Sequence, residues 1–207
     1  MSSASVSAPA AAPSPSSGRA AATATTYIQT TTNSYVSRAA SIEGPKFVEL
    51  KGRSVVQAGA RLRGDRAPIR IGRYCLLDAD CTIEPPSLPS LPSSSASEDK
   101  EEKHIPVTIG AHTVIGAQAT IQAAAIGSLC WIGKNVQAGP RCIVKDCCVV
   151  AEGTVIPADT VVPPFHRVFT GEYGRLCTLE LPPSVAVELQ ERATNIYHEF
   201  VAAQKRK

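Results

Sequence analysis

Seven cysteines, four histidines and a run of five arginines are the residues of this 207-residue chain whose types could do chemistry. A histidine can act as a general base or bind zinc. A cysteine becomes a nucleophile or a metal ligand once its thiolate is favoured. The histidines (His104, His112, His166 and His198) are scattered. The cysteines are odd in number and contain no CxxC pair, a pattern that fits reduced thiols rather than a disulfide framework. Arg61, Arg63, Arg66, Arg70 and Arg73 crowd one stretch with Asp65 as the lone acid inside it. They read either as a solvated, salt-bridged face or as a docking site for an acidic protein surface. Nucleic acid is the weaker reading, because no aromatics interleave for base stacking and the net charge is only +3.

What positions these residues is a six-residue beat. Ile132, Ala138, Val144, Val150, Ile156 and Val162 recur without a slip. Ile71, Leu77 and Ile83 keep the same spacing, as do Ile109, Ile115 and Ile121, with Ile126 following after five. Leu50, Val56 and Leu62 form another run, and Val36, Ile42 and Val48 a weaker one. No helix or ordinary strand has period six. A hexapeptide repeat marks a parallel β-helix, in which each hexad is one short strand plus a corner. The expected fold is all-β: a left-handed parallel β-helix of about five coils, three hexads to a coil, with a C-terminal α-helix.

Each slot of the hexad then has a direction. Residues i and i+4 point inward and their neighbours outward. The i+4 slot holds small residues, among them Ser54, Ala60, Thr113 and Thr154, and only Arg66 breaks the pattern. Five cysteines fall in it: Cys75, Cys81, Cys130, Cys142 and Cys148. Buried there, a thiol behaves as a small hydrophobe and is chemically inert. Cys147 is expected to face outward and to be the accessible thiol. Trp131 precedes an inward Ile and is expected outside, where it either lies under the C-terminal helix or anchors a partner.

The rest of the chain divides around this prism. Residues 1–26, rich in Ser, Ala and Pro, read as a disordered tail rather than a secretory signal. The β-helix domain spans 27–165. A Pro/Ser-rich, charged insertion at 84–108 reads as a surface loop. Residues 166–183 read as an irregular connection. Residues 184–203 carry Val185, Leu189, Ala193, Ile196, Tyr197 and Phe200 on one helical face, behind Ser184 as N-cap, and should pack on the prism. No apolar run is long enough to cross a membrane as a helix.

Two enzyme readings are open to a hexapeptide chain. The stretch Arg63-Gly64-Asp65 through Ile69-Arg70-Ile71-Gly72 resembles the γ-class carbonic anhydrases, whose later coil supplies a zinc-binding histidine pair. Ala117 and Gln122 stand where those imidazoles would be, and neither offers the nitrogen zinc prefers. A trimeric acyltransferase would need a histidine base, and His112 is the single histidine inside a coil. Otherwise His112 is an exposed corner residue.

The motifs VSR (36–38), RGD (63–65), IEPP (83–86), AAIGS (124–128), IGKN (132–135), RCIVKDCC (141–148) and VIPADTVVPPF (155–165) come in an order that resembles the dynactin subunit 5 family. The resemblance covers about residues 27–201. It implies a non-catalytic subunit of the dynactin pointed-end complex, without cofactor, that supports dynein-dependent transport of endosomal cargo. The partners it implies are dynactin subunit 6, a related β-helix, dynactin subunit 4 and the pointed-end actin-related protein, with dynein cargo adaptors engaged indirectly. It implies neither nucleic-acid binding nor membrane insertion. The implied location is the cytoplasm and cytoskeleton, extending to the kinetochore. The N-terminal tail is extra relative to the family, and the insertion is Ser-rich where the family tends to aromatics. The residues left for partner contact are Arg61, Arg63, Arg66, Arg70, Arg73 and Trp131.

Overall fold

The computed structural model describes residues 26–88 and 103–206. The expected tail, apart from its last residue, and the middle of the insertion lie outside them. The hexads form a left-handed parallel β-helix with three faces: a nine-stranded sheet and two six-stranded sheets. The first face stacks Tyr35–Ser37, Val55–Val56, Leu76–Leu77, Val114–Ile115, Trp131–Ile132, Val149–Val150 and His166–Thr170 in parallel. Inward along it lie Val36, Val56, Leu77, Ile115, Ile132, Val150 and Val168, each in register with the next. Strands stacked about 4.8 Å apart bring each aliphatic onto the one below. The result is one continuous core along the prism axis.

The prism has six complete coils plus a seventh strand on the first face, rather than about five. The weak Val36–Ile42 run is a genuine first coil, with Val48–Leu50 as its third strand. The beat also slips between Leu62 and Ile71 and between Ile121 and Ile126 while coil closure continues, so counting unbroken hexads comes up short.

Two backbone features explain residues beside the aliphatics. One or two positions before each parallel strand of the first face, Asn33, Arg53, Tyr74, His112, Leu129, Cys147 and Phe165 adopt left-handed φ between 51° and 59°. Few residues adopt this region freely, and here each lies at a tight corner. The glycine after the aliphatic answers a different demand. A Cβ on Gly133 would lie 2.5 Å from the backbone nitrogen of Glu152, and one on Gly110 would lie 2.4 Å from that of Ser128. The next coil passes too closely for any side chain there.

Both ends of the first face are closed by antiparallel strands. Tyr27–Gln29 pairs with Tyr35–Ser37, and Leu176–Glu180 pairs with His166–Thr170. Where the sequence suggests an irregular connection at 166–183, the chain therefore makes a hairpin. Its first strand continues the beat, since Val168 follows Val162 by six and is fully buried. Antiparallel caps of this kind occupy edges that would otherwise template further strands.

The C-terminal helix, Val185–Lys205, lies over the outer side of the first face and buries Leu189, Ala193 and Tyr197. It starts beside the last coil, where Leu181 N–H donates to Phe165 O, and ends at the first, where the Phe200 ring meets Tyr27 at 4.9 Å and Tyr35 at 5.4 Å. Its 21 residues span about 31 Å at 1.5 Å each. Six strand spacings span about 29 Å. The helix thus covers the full height of the prism, which is why the outward Val55 and Val114 are buried. Ser184 precedes the helix with φ −60 and ψ −23, already helical, and makes no side-chain cap. An N-cap residue normally has extended backbone, which lets its oxygen reach back over the first turn. The insertion leaves after Thr82–Ile83 and returns into Val107–Ile109. Its roots are tied by Leu88 N–H to Lys103 O at 2.8 Å and Ile105 N–H to Pro86 O at 2.8 Å.

Candidate docking surfaces

The five inward cysteines are all buried. Burial pushes the Cys75 and Cys81 thiols up to about 12 and that of Cys142 to about 11. Three of them do more than fill space. In the corner before the first face, the Cys75 thiol donates to Gly110 O at 3.0 Å, Cys130 to Lys145 O at 3.1 Å and Cys148 to Pro163 O at 3.1 Å. Ser54 and Thr113 occupy the same column and donate to Gly72 O and Gly127 O at 3.0 and 2.9 Å. Each coil therefore satisfies a carbonyl of the next through a small side-chain donor. The sequence shows the small residue but not its acceptor.

Cys147 departs from its expected place. It is 4 % exposed, and burial, then the charges of Asp146 and Cys148, raise its thiol above the ordinary value. Strand alternation does not apply to it, because it occupies the left-handed corner, in column with Leu129 and Phe165.

The arginines are not an unopposed basic face. Parallel register sets Arg63 beside Glu43 and Arg70 beside Glu49 on neighbouring coils. Arg63 pairs with Glu43 at 3.2 Å and with Asp65 and Glu84 at 3.3 Å. Arg66 meets Glu84 at 2.6 Å, and Arg70 meets Glu49 at 3.7 Å. Glu84 also accepts from Gln122 Nε2 at 3.0 Å, so the residue standing at the anhydrase imidazole position is held in a structural ion-pair network. Among the described residues, Arg61 and Arg73 have no carboxylate partner. They lie apart: Arg61 on the outer side of the second face, Arg73 at the corner leading into the first.

Trp131 lies on the outer side of the first face, half-buried under the helix, with the Arg192 guanidinium 3.7 Å from its ring centroid. A cation over an indole face is a favourable contact. His112 stacks on Tyr74 at 5.0 Å, and burial lowers its pKa, which favours the neutral ring. No group of three metal-ligating side chains assembles among the described residues.

Among the described residues, no α-helix covers the second or third face. Their outer sides in the last coil expose Val155 and Val161 by about half. Against known protein families, residues 18–205 match the family described as dynactin subunit 5. The chain belongs to the dynactin subunit 5 family. Among solved structures, it is similar to a hexapeptide transferase family protein from Anaplasma phagocytophilum at 17% identity. That match covers 83% of this chain and 91% of the other, with a TM-score of 0.57. It is also similar to a point mutant of AntD, an N-acyltransferase from Bacillus cereus, at 12% identity and a TM-score of 0.51, covering 79% and 89%. A third likeness is to PerB from Caulobacter crescentus, at 14% identity and a TM-score of 0.50, covering 70% and 56%. At these identities the likeness is of fold. Family membership rests on the sequence match.

Sequence reasoning missed the cluster at the corner before the first face, where Lys51, Arg53, Arg73 and Tyr74 meet. A signal was present. Arg53 and Tyr74 hold the same place in successive coils, and each follows a residue (Gly52, Arg73) that shares a corner slot.

Proposed function

We propose that this chain is a non-catalytic structural and adaptor subunit of the dynactin pointed-end complex that supports dynein-dependent cargo transport along microtubules. The observation that carries this reading is the dynactin subunit 5 match over nearly the whole chain. The chemistry of the prism agrees with it. Burial raises the thiols of Cys75, Cys81 and Cys142, the coil histidine is packed against a tyrosine, and Gln122 is engaged by Glu84. Two flat faces that no described helix covers, and the open strand edges of the last coil, suit a member of a larger assembly. The expected neighbours are dynactin subunit 6, dynactin subunit 4 and the pointed-end actin-related protein, in the cytoplasm and at the cytoskeleton. Arg61 and the rim around Trp131 are the residues proposed to meet them.

Affinity purification of the tagged full chain, with identification of its companions, tests the reading. Dynactin components in constant ratio to the chain are expected. A stable homotrimer that transfers acyl groups, free of dynactin components, would replace this function with that of the fold neighbours.

A further inference from the structure

One pocket on the prism has a chemistry that its coil role does not need. At the corner before the first face, Lys51, Arg53 and Arg73 line a cavity of about 360 Å³ together with Thr32 and Tyr74. No carboxylate pairs with any of the three cations among the described residues, whereas Arg63, Arg66 and Arg70 nearby are all paired. The pocket lining contains no acid. Three uncompensated positive charges converging on one concavity raise the local potential for an anion.

The surroundings narrow the anion. Tyr74 lies between Arg53 of the preceding coil, whose guanidinium is 5.4 Å from the ring centroid, and His112 of the following coil. Both flanks of the ring are taken, so no aromatic face is left for a nucleobase. A lone carboxylate would leave two cations unmatched. A phosphate carries nearly two negative charges at neutral pH and three acceptor oxygens, and guanidinium forks match it in geometry. Arg53 also hydrogen-bonds the Tyr74 hydroxyl, which holds one fork in place before any ligand arrives.

We propose that this corner pocket docks a phosphorylated serine or threonine of a partner protein. Arg53 and Arg73 grip the phosphate, and Lys51 adds charge. The pocket lies at the corner before the first face, apart from the outer sides of the second and third faces, so it could bind a modified segment while the chain is held in an assembly.

The test uses the full-length protein and a degenerate peptide library with one fixed phosphoserine, beside the same library with serine or glutamate fixed. Enrichment of the phosphoserine library, with binding that weakens as salt rises, is expected. Arg53→Glu and Arg73→Glu should each lower affinity about tenfold or more, the loss of a charge-assisted bond with repulsion added. Arg175→Glu, which reverses an exposed charge in the turn of the 166–180 hairpin, should leave binding unchanged. Arg73→Gln serves as the milder variant, and thermal melts confirm that each variant folds. Equal capture of the serine or glutamate library, binding indifferent to Arg53 and Arg73, or binding to phosphoinositide vesicles without binding to phosphopeptide would each overturn the proposal. Co-purification with dynactin is read separately, so failure here leaves the subunit assignment standing.

Discussion

Replacing Cys142 with serine and Cys130 with serine should have opposite outcomes, although both thiols are buried and both substitutions swap sulfur for oxygen. Cys130 is in the column whose members donate to the next coil. A hydroxyl there inherits Lys145 O as acceptor, as Thr113 one coil earlier uses Gly127 O at 2.9 Å. Cys130→Ser should therefore change stability by about 0.5 kcal/mol or less, the usual result when a buried donor keeps its partner. Cys142 is in the corner before the third face, is fully buried, and its thiol donates to no carbonyl among the described residues. A hydroxyl there is buried without a partner and should cost about 1–3 kcal/mol. In a chain of this size that lowers the melting temperature by about 2–4 °C per kcal/mol. Urea unfolding of the two variants, compared at equal m-value, gives the difference directly. If Cys130→Ser loses as much as Cys142→Ser, the side-chain ladder contributes nothing and the column is ordinary packing.

Thr154 is buried with its hydroxyl unpartnered, in a column otherwise filled by Ala60, Cys81, Ala119 and Val136. Thr154→Val should raise stability by about 1–2 kcal/mol, read as a higher urea midpoint. Tyr197→Ala removes the ring set between Tyr35 and Tyr74 and the hydroxyl bond to Asn33 O at 2.8 Å. It should cost about 3 kcal/mol and expose the helix to protease, measured by limited digestion. The thiols of Cys75 and Cys81 ionise near 9 when unfolded and near 12 when folded. Their contribution is complete below pH 9 and is lost as pH rises toward 12, by about 1.4 kcal/mol per pH unit for each thiol. Unfolding curves between pH 8 and 11 should show this slope, and Cys75→Ser should flatten it.

The aliphatic columns were legible in the sequence because they depend on one repeating distance. Ile115, Ile132 and Val150 stack as their spacing requires. The partners of the polar residues were not legible, because they come from another coil. Glu43 is as far from Arg63 in sequence as one turn of the prism, and only coil closure makes them neighbours. Cys147 was misplaced for a local reason: alternation describes strands, and that residue is in a left-handed corner. The hairpin at 166–180 was half visible, since Val168 kept the beat while the antiparallel return had no period to announce it. The basic corner pocket was hidden because Lys51 and Arg53 stand outside the arginine-rich stretch and join only Arg73 of it.

The C-terminal helix has a consequence for how this chain can change. It is anchored beside the last coil at its start, over Trp131 through Arg192 midway, and among Tyr27 and Tyr35 at its end. Adding or deleting one coil would displace those anchors by about 4.8 Å, close to one helical turn. The helix works as a gauge of stack height. Lengthening is therefore tolerated in loops that leave the prism, as at 84–108, and resisted in the coils themselves, so the distance between the two ends of the molecule is held constant.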